Sequence, residues 1–213
     1  MDERASRRRL SVDERRAEIL AEAVKIAREV GLVELTLREV RDRAGVSAGL
    51  ASHYFASLDG LRVAVFHELF DSAEPGEAVS PSRRLAAVIG DFAATGARDS
   101  ARAWVDALQL ARGSAEMRDA VLRRMALDRE ELTRIILAGC ESGEFRSSDP
   151  ARSARRILVA LDGYLMQFFV EEDGEIRSAL RRVVWDLAER ELELPEGGLR
   201  TLLEPGRETD EHA

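Results

Sequence analysis

The chain has 213 residues, enough for one small and one larger domain, and a net charge of -8. Apolar residues recur at helical rather than alternating spacing, so we predict an all-α protein and exclude sheet-based classes. No apolar run reaches the length of a membrane span, no signal-peptide core precedes the first helix, and Cys140 is the only cysteine. These three features predict a cytoplasmic protein.

The negative charge is unevenly distributed. Residues 1–70 contain 12 basic and 12 acidic side chains, whereas the remainder contains 20 and 28. A basic arm with Arg7, Arg8 and Arg9 precedes the first helix. Such an arm can contact DNA phosphates or the minor groove; the alternative is a solvated tail.

The first helix is predicted over residues 12–30. Ser11 and Glu14 form a capping box at its start, and Gly31 ends it. Ser57 caps the fourth helix, which connects the N-terminal domain to the rest of the chain. The second and third helices lie between these two.

Two short helices joined by a tight turn are predicted between Gly31 and Ser57. Thr36 and Glu39 form a second capping box, Gly45 supplies the left-handed residue that ends the helix, and Ser47 caps the next one. This arrangement is a helix-turn-helix, whose second helix enters the major groove of DNA.

Five more helices are predicted, over about residues 80–95, 99–111, 114–142, 149–170 and 173–192, making nine in total. We therefore predict an arm and helix-turn-helix domain, a connecting helix and linker, a larger C-terminal helical domain and a flexible tail, with bounds 1–56, 57–79, 80–192 and 193–213.

The motif resembles the DNA-binding domain of the TetR family of transcriptional regulators. The resemblance covers about residues 10–66 and rests on Thr36, Val40, Ala44-Gly45-Val46-Ser47, Gly49, His53-Tyr54-Phe55 and Leu61. The run from Gly49 to Phe55 is most similar to the choline-responsive branch that controls betaine synthesis. Departures from the family pattern are Arg41, Ala51-Ser52 and Leu58, the last of which replaces a lysine that would contact phosphate.

The resemblance implies a repressor that binds operator DNA as a homodimer and is released by a small molecule in the C-terminal domain. Thr36, Ser47, His53 and Tyr54 would then bind phosphates, while Ala48 and Ser52 would meet base edges. Small Gly49 would let the helix approach the groove. With the arm, the predicted DNA-binding residues are Arg7, Arg8, Arg9, Thr36, Ser47, Ala48, Gly49, Ser52, His53 and Tyr54. We expect Phe55 to pack in the core instead.

Apolar stripes on the last two predicted helices indicate a four-helix dimer interface. Its predicted residues are Leu161, Leu165, Ile176, Leu180, Val183 and Leu187. The alternative is that one stripe only fills the core of the monomer.

Polar and aromatic side chains within apolar helices are candidates for a ligand site. The predicted set is Trp104, Gln109, Met125, Asp162, Tyr164 and Phe168. An aromatic cage with Asp162 or Asp106 would suit a cation such as choline. The alternative is ordinary core packing.

Two other functions compete with a ligand-responsive repressor. One is a DNA-binding regulator without a small-molecule ligand, controlled by a protein partner or by oxidation of Cys140. The other is an enzyme, which we do not expect, because His53, His67 and His212 are far apart in the sequence and it has no metal-ligand spacing, phosphate-binding loop or nucleophile motif. We therefore expect no cofactor, no metal and no catalytic residue. The expected partners are operator DNA, a second copy of the chain and a small effector, with no membrane.

Overall fold

The computed structural model describes residues 11–47, 53–70, 80–91, 97–171 and 173–202. Within them it contains nine α-helices and no β-strand, which confirms the all-α prediction. The helices are α1 (Val12–Val30), α2 (Leu37–Ala44), α3 (Leu58–Phe70), α4 (Pro81–Asp91), α5 (Ala97–Leu110), α6 (Ala115–Ser142), α7 (Pro150–Val170), α8 (Gly174–Glu191) and α9 (Gly198–Thr201). None of these helices is long and apolar enough to cross a membrane.

The N-terminal helices begin and end at the predicted signals. Both bonds of the capping box at α1 are present: Ser11 Oγ accepts from the N–H of Glu14 at 3.1 Å, and the Glu14 carboxylate accepts from the N–H of Ser11 at 2.7 Å. Gly31 ends α1 with φ 98°. Ser57 Oγ caps α3 by accepting from the N–H of Gly60 at 2.9 Å. Local side-chain chemistry therefore positions these helices before any packing is considered.

The C-terminal helices start at predicted caps as well. Side-chain oxygens of Ser80, Ser114, Asp149 and Asp173 each accept from a backbone N–H in the first turn of the following helix. Gly143, with φ 80°, follows the end of α6. The long helices therefore have sequence-encoded limits.

The chain divides into two compact units, Met1–Ser72 with Asp106–Val121, and Ala73–Val105 with Leu122–Ala213. In the first unit, α1 packs against α2 and α3. Its buried side chains include Ile19, Ala23, Ile26, Leu32, Leu35, Val40, Phe55, Leu61, Val65 and Phe66. The helix that we predicted to be a connector, α3, is part of this core.

In the second unit, α7 pairs with α8, while α9 contacts both α4 and α8. The core contains Leu85, Ile89, Leu132, Ile136, Phe145, Ile157, Leu161, Tyr164, Leu165, Val184, Trp185, Leu192 and Leu199. Gly139 of α6 lies directly against the ring of Phe145, where a β-carbon would collide with it.

Residues 193–202 differ from the flexible tail that we predicted. They carry α9, and Leu199 is buried. The carboxylate of Glu189 is also buried, and it accepts from the N–H groups of Gly197 at 2.8 Å and Leu199 at 3.0 Å. These bonds compensate a buried charge and hold the segment on α8. Residues 203–213 lie outside the described residues.

Candidate DNA-binding surface and effector cavity

The turn after α2 has the backbone that the sequence predicts. Gly45 adopts φ 63° and ψ 35°, in the left-handed region that favours glycine, and its N–H donates to the carbonyl of Arg41. Thr36 caps α2, since its Oγ1 accepts from the N–H of Glu39 at 3.3 Å. The predicted capping box is only half formed, because the Glu39 carboxylate accepts from Arg43 at 2.9 Å instead.

Arg43 also links α2 to α1. Its guanidinium lies 2.7 Å from the carboxylate of Glu29. The hydrogen bond to Glu29 is the main reason why the pKa of Arg43 is raised above its usual value. Arg41, a departure from the family pattern, donates two hydrogen bonds of 2.7 and 2.9 Å to the carboxylate of Asp42. Ala51 and Ser52, two other departures from the pattern, lie outside the described residues.

Four predicted DNA contacts lie among the described residues. Thr36, Ser47 and His53 are exposed, and Tyr54 is half-buried. The rings of His53 and Tyr54 meet edge to face, with centroids 5.4 Å apart. Exposed hydroxyl and imidazole groups of this kind can bind phosphate oxygens. DNA contact by these four stays a prediction, and the other six residues, Arg7, Arg8, Arg9, Ala48, Gly49 and Ser52, lie outside the described residues.

Phe55 packs inside the domain, as we expected. Only 4% of its surface is exposed, and the guanidinium of Arg16 lies 5.1 Å from its ring centroid. Leu58 begins α3 as a half-buried apolar residue, so its side chain offers no donor to phosphate. Of the two adjacent aromatic residues, Phe55 therefore belongs to the core and Tyr54 is partly exposed.

A cavity of about 130 Å³ opens among α5, α6 and α7. Three of the six predicted ligand residues, Trp104, Met125 and Asp162, lie on its wall together. The complete lining is Trp104, Met125, Asp128, Arg129, Arg155, Leu158, Val159 and Asp162.

The two carboxylates of the cavity differ in their partners. Asp128 accepts from Arg124, one turn away on α6. Asp162 has no cationic partner among the described side chains. Burial and, after it, the charge of Asp128 raise the pKa of Asp162 to about 6, although a hydrogen bond from the Trp104 indole opposes the shift. Asp162 is thus a poorly compensated negative charge near neutral pH.

The other predicted ligand residues lie elsewhere. Tyr164 is buried, and desolvation raises its pKa above the usual value. Its ring packs against Phe168 with centroids 5.5 Å apart, and the Arg177 guanidinium covers Phe168 at 5.0 Å. Gln109 is exposed near the end of α5. Tyr164, Phe168 and Gln109 therefore do not line this cavity, and a role for them in ligand binding stays a prediction.

Asp106, considered as a possible cation ligand, contacts the backbone instead. Its Oδ2 accepts from the N–H of Leu32 at 2.7 Å and of Val33 at 3.4 Å. The carboxylate is therefore occupied in the turn between α1 and α2.

Two apolar stripes face outward on α7 and α8. On α8, Ile176 is 46% and Val183 58% exposed, with Leu180 and Leu187 partly exposed. On α7 the outward residues are Val159, Gly163, Met166 and Val170. Leu161 and Leu165, which we predicted for an interface, are buried within the chain instead. Both faces of α7 are apolar, so the sequence pattern alone does not show which of them is exposed.

Cys140 is half-buried near the end of α6. In the described part of the chain, no group of three or more His, Cys, Asp or Glu side chains could hold a metal ion.

Residues 19–65 match the family model for bacterial regulatory proteins of the tetR family. These residues therefore form a DNA-binding domain of the TetR type. The chain is 26% identical over 170 residues to the HTH-type transcriptional regulator BetI 2 of Chromohalobacter salexigens. The matched region covers 75% of this chain and 80% of that protein.

Solved structures of TetR-like regulators share the fold. A TetR transcription regulator from Haloarcula marismortui superimposes with a TM-score of 0.73 at 22% identity, over 84% of this chain and 99% of the other. A putative transcriptional regulator from Saccharomonospora viridis, in complex with choline, superimposes with a TM-score of 0.72 at 20% identity, over 84% of this chain and 98% of the other. The chain thus has a TetR-type DNA-binding domain, and over most of its length it is similar to BetI transcriptional regulators.

Sequence reasoning missed three charged residues of the cavity. In the sequence alone, nothing distinguishes Asp128, Arg129 and Arg155 from ordinary surface charges. A signal was present, since the lining residues of α7 at 155, 158, 159 and 162 follow the i, i+3, i+4, i+7 spacing of one helix face. A helix face on which charged and apolar residues share this spacing can be recognised without a structure.

Proposed function

We propose that this regulator is a dimeric repressor released from its operator by a small organic cation. The observation that carries the proposal is the cavity around Asp162, a half-buried carboxylate without a cationic partner among the described side chains, in a chain that also has a DNA-binding domain. The effector would occupy the cavity, and the helix-turn-helix would bind the DNA.

Cation binding follows from the charges of the cavity wall. Asp162 and Asp128 repel each other, and only Asp128 is offset by an arginine. A positive ligand beside Asp162 would stabilise its ionised form, and the Trp104 indole offers a face for a methylated ammonium group. The choline found in the Saccharomonospora viridis regulator is a ligand of this class.

The size of the cavity limits the effector to a small molecule. An engineered cavity of about 150 Å³ holds benzene, so a space of about 130 Å³ suits a compact cation such as choline. Arg129 and Arg155 also line the cavity and disfavour a second positive charge. We therefore propose a monovalent cation, with its apolar methyl groups against Met125 and Leu158.

Dimerisation is supported by the outward stripes of α7 and α8. Val159, Gly163, Met166 and Val170 repeat at 4-3-4 spacing, as do Ile176, Leu180, Val183 and Leu187. Paired helices with such faces form four-helix bundles between two copies. A dimer would present two helix-turn-helix domains to two half-sites of one operator, and their separation must match the repeat of the DNA. An effector that prefers a different separation would release the DNA.

The test uses the intact protein and a labelled duplex covering the region upstream of its own gene. Fluorescence anisotropy should show tight binding that choline or tetramethylammonium weakens. The neutral carbon analogue of choline, 3,3-dimethylbutan-1-ol, should have little effect, since it lacks the charge. Asp162→Asn should abolish the response to choline, whereas Asp119→Asn, an exposed change on α6, should keep it.

Equal responses to choline and its neutral analogue would contradict a cation site. An operator complex that responds to peroxide but to no cation would instead favour control through Cys140. Binding of no DNA at all would contradict the proposed repressor.

A further inference from the structure

The turn between α1 and α2 is bridged by a side chain of α3. Nη2 of Arg62 donates to the carbonyl of Val33 and, at 3.1 Å, to the carbonyl of Leu35. One nitrogen therefore binds two carbonyls that lie two residues apart in the chain. Because Leu35 is fully buried and Val33 is half-buried, water has little access to their backbone, and Arg62 supplies the donor that these carbonyls require.

This turn leads directly into the helix-turn-helix. Leu35 is followed by Thr36, whose side chain caps α2. Both α2 and α3 pack against α1, so the bonds of Arg62 add a direct link between α3 and the segment that enters α2. The other end of α2 is linked to α1 by the ion pair of Arg43 with Glu29. The two links together restrict the position of a helix of only 8 residues.

The Arg62 side chain is itself incompletely satisfied. It is half-buried, its Nε is buried without a hydrogen-bond partner, and no carboxylate of the described residues forms an ion pair with it. Desolvated charges without a counter-ion and buried donors without an acceptor both cost free energy. Its neighbours on α3, Leu61 and Val65, are fully buried apolar side chains. Stability alone therefore does not account for a guanidinium at this position.

We propose that Arg62 is a positioning residue for DNA recognition, which fixes the turn from which the helix-turn-helix starts by binding both of its carbonyls. This inference rests on the DNA-binding part of the proposed function and is independent of the effector. A motif whose start is fixed presents its donors to one register of phosphates and bases. If the turn occupied several positions, only a fraction of the molecules would match the operator, and the apparent affinity would fall by that fraction.

The geometry separates this role from a direct contact with phosphate. An arginine that binds phosphate presents its guanidinium to solvent, whereas that of Arg62 donates to the backbone of the turn and has its Nε buried. Loss of a phosphate contact weakens binding to every sequence and lowers the salt slope by about 0.9. Loss of position should weaken operator binding more than binding to other DNA, which depends mainly on phosphate charge.

The deciding experiment compares the parent chain, Arg62→Met and Arg62→Lys on two labelled duplexes of equal length, the region upstream of its own gene and an unrelated sequence. Methionine keeps a long unbranched side chain and removes every donor, whereas lysine keeps the charge and offers donors to the same carbonyls. We expect Arg62→Met to bind the operator about tenfold more weakly, which is typical of losing a bond from a charged donor, and the unrelated duplex nearly as well as the parent. Arg62→Lys should lie between the two.

A matched control and a measurement without DNA separate positioning from loss of charge or of stability. Arg112→Met removes the same charge from an exposed position in the same compact unit, and it should leave the preference for the operator unchanged. The amides of Glu39 and Val40 bond to Thr36 at the start of α2, so their hydrogen exchange should be faster in Arg62→Met and partly restored in Arg62→Lys. The urea midpoint of Arg62→Met should stay close to that of the parent, since a partly satisfied guanidinium contributes little to stability.

Equal losses on both duplexes, with a salt slope smaller by about 0.9 per chain, would show a phosphate contact and overturn the inference. An unchanged operator preference with unchanged exchange in Arg62→Met overturns it as well, as does a lower urea midpoint with faster exchange throughout the domain. If Arg62→Met does not fold, Arg62→Lys provides the same comparison with a smaller expected loss. If the parent chain binds no operator, the proposed repressor fails, whereas faster exchange at Glu39 and Val40 alone in Arg62→Met would still support fixation of the turn by Arg62.

Discussion

The helix-turn-helix domain and the α7–α8 pair differ in how many of their large apolar side chains are exposed. In the described part of the first, the exposed large apolar residues are Val12 and Val30, at the two ends of α1. In the second, Val159, Met166 and Val170 on α7 face outward at helical spacing, as do Ile176 and Val183 on α8. Scattered apolar residues are ordinary on a surface, whereas contiguous ones indicate a partner. The first region completes its core within one chain, and the second is suited to a second copy.

The largest effect should come from a charge on the outward face. Val183→Arg would bury a guanidinium against apolar neighbours in the dimer, so we expect mainly monomer at micromolar concentration and loss of operator binding. Sedimentation and anisotropy measure the two effects. Leu122→Arg, at a similarly exposed position on α6, is the matched control and should remain dimeric. A dimeric, DNA-competent Val183→Arg protein would remove the distinction between the two regions.

Deleting residues 1–9 should test the charge of the DNA-binding region. The deletion removes four arginines per chain, and each neutralised phosphate contributes about 0.9 to the slope of log affinity against log salt. We expect a slope smaller by several units per dimer and an unchanged oligomeric state. Anisotropy from low to physiological salt measures the slope; if it does not change, the arm is a solvated tail.

An inward change in the C-terminal part should lower stability and spare the dimer. Gly139→Ala places a methyl group in the ring of Phe145, so we expect a free energy of unfolding lower by about 1–3 kcal/mol. Gly113→Ala, with no atom within 4 Å of the new carbon, should have little effect. Thermal unfolding and sedimentation check both variants, and an equal loss in the two would contradict tight packing at Gly139.

Binding of a cation should depend on pH through Asp162. Its pKa of about 6 means that the carboxyl is neutral below this pH and attracts a cation only above it. Choline affinity should therefore rise with pH and be about tenfold weaker at pH 5 than at pH 7.5. Asp162→Asn should give weak binding at both values. Calorimetry measures the profile, and a flat one in the parent chain would exclude Asp162 as the cation partner.

The same pKa predicts the smallest effect, on stability without ligand. Because the pKa is higher in the folded chain than the usual 3.8, the folded state binds more protons between about pH 4 and 6. Stability should therefore fall as pH rises through this window. Asp162→Asn should be more stable than the parent at pH 7 by about 1 kcal/mol, reduced for partial solvent exposure, and should show no gain at pH 4. Urea unfolding at the two pH values measures the difference.

Much of the fold could be predicted because its signals are local. Caps such as Ser11, Asp149 and Asp173 act within one helical turn. The left-handed backbone at residue 45 favours glycine whatever packs around it. The side of a helix that faces the core is not local. Leu161 and Val159 are both apolar, and only their neighbours in space decide that the first is buried and the second exposed.

The candidate site could be predicted only in part, because the contacts between its helices are not local either. Trp104 and Asp162 stand out as isolated polar or aromatic residues in apolar helices, but Tyr164 does so equally and is a core residue. Asp106 and Leu32 are 74 residues apart, and no sequence pattern connects them.

The buried carboxylate of Glu189 has a consequence for genetics. A stop codon at residue 195 would remove the two N–H groups that satisfy this charge, although it leaves every helix up to α8 intact. Such an allele should behave as a loss-of-function mutation through proteolysis of an unstable product. A reporter or affinity tag joined after Leu202 should be tolerated, because the segment that satisfies Glu189 is then retained.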